Sequence, residues 1–194
     1  IISKNNLKII DFTLNEINGG SIEVICAKKK SKYSSNKNKI NYFLNEEKKI
    51  SDKDFDKFNL RMENSKKSLQ LFLSGQNKKN LIGYGASTKG NVILNYCNIN
   101  YNDISYICDA NPTKEGKFTP GSHIEIISKN KMRKIKPKYL IVLIWSFRTE
   151  VIKQEKKFIE DGGKLIFPLP IFHVVDKENY KKYLKEDFSL YSFS

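Results

Sequence analysis

Residues 81–90 read Leu-Ile-Gly-Tyr-Gly-Ala-Ser-Thr-Lys-Gly, a short apolar run that climbs into a glycine-rich bend. The bend opens a segment in which Val92, Ile93 and Tyr96 recur at helical spacing. A strand, a tight turn and a helix in that order point to a layered α/β fold, with the helix crossing back over a sheet. Glycine lets a backbone approach a ligand closely, and the N–H groups and dipole at a helix start favour a phosphate. Gly83, Gly85, Ala86, Ser87, Thr88, Lys89 and Gly90 are therefore the candidate phosphate-binding residues. A bend that packs without any ligand has the same spacing, so the two readings stand side by side.

From residue 80 onward the pattern alternates. Residues 81–84, 104–108, 123–126, 139–144 and 164–167 are strand-like. Helical stretches fall at 91–97, near 128–133, and from a cap at Thr149 to Gly162 and Gly163. Residues 139–144 are continuously apolar, as in a strand buried on both faces. The pattern predicts a Rossmann-like, doubly wound α/β domain with a mostly parallel sheet.

With the strands in the order third, second, first, fourth, fifth, the order reverses between 81–84 and 139–144. Ligands in such sheets lie beyond the carboxyl ends of the strands at that reversal. Trp145 and Arg148 then face the glycine bend, offering a flat surface for a base or sugar and a cation for phosphate. The alternative is that Trp145 and Phe147 cap the core and Arg148 is solvated. Asp109 ends the second strand, where an acid commonly holds ribose hydroxyls in dinucleotide folds. Thr88, however, stands where the GxGxxG fingerprint places its third glycine. A CoA- or NAD-binding module is the alternative reading. The connection at 111–121 is long and rich in proline and glycine, as in a shaped loop that covers a ligand. It contributes Asn111 and Lys114 as candidate contacts, and His123 beside it is either a phosphate donor or a structural histidine. Neither a metal-ligand spacing nor a nucleophile with its base is present.

The N-terminal part reads differently. Residues 7–14 and 21–27 form a β-hairpin around the turn cluster at 15–20. Two strands alone are marginal in water, so the hairpin at 1–28 reads as the remnant of a sheet belonging to an upstream domain. Residues 29–50, lysine- and serine-rich at their start, read as a linker. Ser51 caps a helix with Phe55, Phe58, Met62, Leu69 and Phe72 as its apolar stripe, ended by Gly75. It leads the domain at 51–175, and 176–194 forms a tail with a short helix around Tyr180, Tyr183 and Leu184.

Composition narrows the classes. The formal charge is +14, yet only Arg61, Arg133 and Arg148 of the 35 basic residues are arginines. Nucleic-acid readers lean on arginine forks, whereas dispersed lysine reads as solvated surface, so no nucleic-acid partner is expected. No apolar run is long enough to span a bilayer. Cys26, Cys97 and Cys108 lie in apolar stretches without paired spacing, as reduced thiols of a cytoplasmic protein do.

Several linked segments then carry a specific resemblance. Gly83-Tyr84-Gly85-Ala86-Ser87-Thr88-Lys89-Gly90-Asn91, Leu94-Asn95-Tyr96-Cys97 and Asp109-Ala110-Asn111-Pro112-Thr113-Lys114-Glu115-Gly116 resemble the C-terminal domain of SAM-dependent sugar C-methyltransferases. So do Pro120-Gly121-Ser122-His123-Ile124 and Trp145-Ser146-Phe147. The likeness runs over about 43–175. Asn18-Gly19-Gly20-Ser21 looks like the last strands of that family's catalytic domain, with asparagine where a histidine often stands.

The resemblance implies a domain that completes the pocket for a nucleoside-diphosphate keto-sugar. In such enzymes a proton is removed beside the carbonyl and the enolate attacks the SAM methyl group. The zinc module, the SAM-binding domain and the catalytic residues lie upstream, so no catalytic or metal-binding residue is expected in this chain. S-adenosylmethionine is likewise expected to bind upstream.

Overall fold

A computed structural model describes residues 1–15 and 17–185. The chain divides into two compact units, Ile1–Asn59 and Leu60–Ser194.

In the first unit, β1 (Leu7–Asn15) and β2 (Ser21–Lys28) pair antiparallel, with a bulge between Ile9 and Asp11. A helix, α1 (Lys37–Glu47), occupies much of the stretch expected to be a linker. Asn36 caps it, and Phe43 packs on Phe12 with ring centroids 4.7 Å apart. Lysine and asparagine dominate α1 in number, but Ile40, Phe43, Leu44 and Glu47 share one face and line a small pocket with the hairpin. Phe12 is the one buried apolar side chain among the described residues of this unit.

A long helix, α2 (Asp52–Ser74), contains the boundary between the units. The Asp54 carboxylate accepts from both the amide and the hydroxyl of Ser51, the reciprocal contact that starts a helix. The expected apolar stripe divides in two. Ser65, Leu69 and Leu73 are buried, while Phe55 and Phe58 are 60% and 51% exposed.

The second unit continues with β3 (Leu81–Tyr84), α3 (Thr88–Tyr96), β4 (Tyr106–Asp109), β5 (Ile126–Ser128) and α4 (Lys129–Ile135). Next come β6 (Tyr139–Val142), α5 (Arg148–Gln154), α6 (Lys156–Glu160), β7 (Lys164–Phe167), β8 (His173–Val175) and α7 (Tyr180–Lys185). Residues 186–194 of the expected tail lie outside the described residues.

The sheet order is β5-β4-β3-β6-β7-β8, parallel except for β8, which runs antiparallel to β7. This is the expected Rossmann-like sheet, with one further strand. Alternate residues feed two cores: Leu81, Ile141 and Leu143 pack with Leu69 and Leu94, while Ile82, Leu140 and Val142 pack with Val151 and Ile159. Each full burial of such a side chain is worth about 1.5–3 kcal/mol.

Several boundaries move, among them those of the second strand, now Tyr106–Asp109, and of its preceding helix, now Thr88–Tyr96. The third strand starts at Ile126, because Thr119 and Phe118 of the preceding loop take the backbone of Ile124 and Glu125. Thr149 lies inside α5, which begins at Arg148, and Glu155 separates α5 from α6. Gly162 and Gly163 close α6 by donating back to Ile159 and Phe158. Among the described residues no helix is long and apolar enough to cross a membrane.

Candidate functional site

The carboxyl ends of β3 and β4 meet at the glycine bend. Gly85 takes φ +92° there, a conformation that L side chains resist. Its amide donates to Cys108 O at 2.8 Å, and the Ala86 amide donates to Asp109 Oδ2 at 2.8 Å. Ser87 N–H donates to Gly85 O, and Ser87 Oγ caps α3 by accepting from the Gly90 amide at 2.9 Å. Four amides of the bend are thus engaged within the chain. Thr88 and Lys89, which open α3, are exposed.

Internal packing accounts for the glycines. A Cβ at Gly83 would stand 2.8 Å from Ile107, one at Gly85 2.6 Å from Ile144, and one at Gly90 2.9 Å from Leu143. These are the contacts by which the bend and α3 sit close on the sheet.

The expected covering loop begins on this bend. Asn111 takes Asp109 Oδ1 through its amide, and its side chain accepts from the amide of Thr113, starting the single turn Pro112–Lys114. That turn delivers Lys114 Nζ to Ala86 O at 2.7 Å and to Asp109 Oδ2 at 3.2 Å. Ala86, Asp109, Asn111 and Lys114 therefore form one polar cluster at the end of β4. The loop then folds back on itself, pinned to α3 by Asn95, which donates to Pro120 O at 3.2 Å. His123 is exposed, with φ +52° and its amide on Thr119 O.

On the other side of the bend lies a groove of about 300 Å3. Trp145, in the single turn Trp145–Phe147 after β6, forms one wall, with Leu169 beyond β7. Val92 and Tyr96 on α3 and Met62 on α2 form the other. Lys66 and Lys89 are the cations in the lining. Lys66 Nζ sits 5.0 Å over the Tyr96 ring, whose hydroxyl donates to Glu63 Oε1 at 2.6 Å. The hydrogen bond to Glu63 holds the Tyr96 phenol above its ordinary pKa. Lys89 and Trp145 thus share one cavity. Arg148 does not join them, since it is fully buried at the start of α5 with its guanidinium 5.3 Å from the Tyr183 ring.

The groove-lining residues Met62, Lys66 and Leu169 escape the motif-based reading. Val92 and Tyr96 carry a usable signal: two apolar residues at i and i+4 on α3, 64% and 38% exposed in the fold.

Two comparisons bear on identity. The chain is similar to the C-methyltransferase NovU of Streptomyces niveus, 29% identical over 184 residues that cover 92% of this chain and 44% of that protein. It therefore spans less than half the length of this curated relative. A family model described as the C-methyltransferase C-terminal domain matches 16–170, over the glycine bend, the polar cluster and the Trp145 wall, and the chain belongs to that family.

Proposed function

We propose that this chain is the substrate-side domain of a SAM-dependent sugar C-methyltransferase, holding the nucleotide end of a nucleoside-diphosphate keto-sugar. The observation that carries the reading is the groove between Trp145 and α3, with Lys66 and Lys89 in its lining. It opens at the carboxyl end of the sheet, beside the reversal of strand order where ligands of open α/β sheets sit. An aromatic and apolar wall suits a base, and two ammonium groups suit a diphosphate.

The same lining is unsuited to S-adenosylmethionine. It offers lysines and no carboxylate to a sulfonium cation. The methyl donor and the proton-transfer groups belong, in this reading, to an upstream SAM-binding domain of the complete enzyme, together with its zinc module. The hairpin supports that division. Leu14, Ile22 and Val24, on the hairpin face that also meets α1, are 61%, 51% and 41% exposed, an apolar surface suited to further burial. A CoA- or NAD-binding module is the weaker alternative, because both oxygens of Asp109 already accept hydrogen bonds within the chain.

Thermal unfolding tests the reading. A nucleoside-diphosphate sugar at millimolar concentration raises Tm, SAM alone does not, and Lys89→Ala reduces the rise. A folded chain with no rise at that concentration overturns the proposal.

A further inference from the structure

The amino end of the sheet, opposite the glycine bend, carries a second, solvent-open cavity of about 730 Å3. Its walls come from the end of α4, the Lys136-Pro137-Lys138 link into β6, and the turn between α6 and β7. A volume of this size suits a drug-sized organic ligand.

Met132, Pro137 and Phe158 give it an apolar floor. A Cβ at Gly163 would fall 2.3 Å from the Phe158 ring, so only glycine lets that ring lie flat on the backbone as a wall. Around Gly162 the equivalent position meets nothing within 4 Å. The rim is cationic. Arg133 is paired with the buried Glu155, and Lys157 with Asp161 at 3.1 Å. Lys136 and Lys138 line the cavity without a carboxylate partner among the described residues, and Lys138 Nζ lies 5.4 Å over the Tyr139 ring. An apolar floor beneath two ammonium groups that face no carboxylate selects a ligand with a flat body and an anionic head.

We infer that this cavity binds an aromatic organic phosphate, with the ring on Phe158 and the phosphate between Lys136 and Lys138. The inference is independent of the groove at the carboxyl end, with which the cavity shares no residue.

Naphthyl phosphate is the probe, with inorganic phosphate and naphthol as its two halves, titrated into the 194-residue chain and followed by amide NMR. The expected result is a saturable shift of the Gly162 and Gly163 amides, at an affinity at least about tenfold above either half. Lys136→Glu combined with Lys138→Glu weakens binding by about tenfold or more while circular dichroism is unchanged. Lys66→Glu, in the other groove, leaves it unaltered. Shifts confined to residues outside the cavity, undiminished binding in the double variant, weakening by Lys66→Glu, or a half binding as tightly as the whole each overturn the inference.

Discussion

The Ala86 amide donates to Asp109 Oδ2 at 2.8 Å, fastening the bend after β3 to the last residue of β4. Asn111 N–H takes the other oxygen at 2.8 Å, and Lys114 Nζ bridges Asp109 Oδ2 and Ala86 O. An acid at this strand end holds ribose in dinucleotide folds; here it shapes the bend. Asp109→Ala strands two amides and an ammonium group at once and lowers unfolding free energy by about 1–3 kcal/mol. Lys114→Met has a smaller effect, because that side chain is 36% exposed and water replaces the lost contact. Urea unfolding at neutral pH measures both, and equal effects would mean that the carboxylate does not organise the cluster.

A second polar tie fixes the opposite face of the sheet. Tyr84 OH donates to Glu155 Oε1 at 2.8 Å, and Glu155, 1% exposed, pairs with Arg133. Lys129 Nζ donates to the same phenol oxygen at 2.6 Å, so β3, α4 and the α5–α6 junction meet at one carboxylate. Glu155→Ala leaves the Tyr84 hydroxyl without its acceptor and a void in the interior, while Arg133, 44% exposed, is re-solvated, with an expected loss of about 1–3 kcal/mol. Tyr84→Phe removes the hydrogen bond donated to Glu155 and the one accepted from Lys129 and loses about 1–3 kcal/mol. Because the two side chains are in contact, the double variant falls short of the sum, which a double-mutant cycle in urea detects.

The strand order was legible because each strand of the parallel sheet is a bounded apolar run, and residues 139–144 cannot sit anywhere but the middle. What escaped has physical causes. Only one face of α1 is apolar, and lysine-rich composition hides it. The three residues of β8 follow Pro168 and Pro170, which read as a chain break, and their ladder to β7 is a long-range choice no local pattern announces. Glycine spacing showed a close approach at Gly85 but not of what. The neighbour is the Ile144 side chain, and sequence does not distinguish a methyl group from a phosphate. Likewise Arg148 reads as a surface cation until Tyr183, far along the chain, covers it.

The three thiols divide by environment. Cys26 is exposed, whereas burial pushes the Cys97 thiol up to about 11 and the Cys108 thiol up to about 12. Thiolate is the reactive form, so a disulfide reagent at neutral pH labels Cys26 quickly and the other two only on unfolding. The same shifts set the pH dependence. An acid whose folded pKa is raised contributes stability in full below the unfolded value near 9 and loses it as pH climbs through 11–12. Tyr84 acts in the same sense, its phenol held above the ordinary range by burial and then by the hydrogen bond to Glu155. Unfolding free energy is therefore lower at pH 10 than at pH 8. Three equally fast thiols under native conditions would contradict the burial of Cys97 and Cys108.

Trp145 is the sole tryptophan and lines the groove, so indole emission is a probe of it. If the nucleotide stacks there, titration with a nucleoside-diphosphate sugar changes that emission saturably. In the proposed reading Lys66 and Lys89 meet the phosphates, so Lys66→Ala and Lys89→Ala each raise Kd by about tenfold for the diphosphate and leave the bare nucleoside unaffected. Added salt mimics both substitutions, since the two side chains are solvent-accessible and screened. Arg148→Ala behaves oppositely. The buried guanidinium supports α5 against Tyr183, so its removal lowers Tm by several degrees and changes Kd little in the protein that remains folded. A nucleoside that loses affinity in parallel with the diphosphate would show that the lysines hold the groove open, and that no phosphate lies between them.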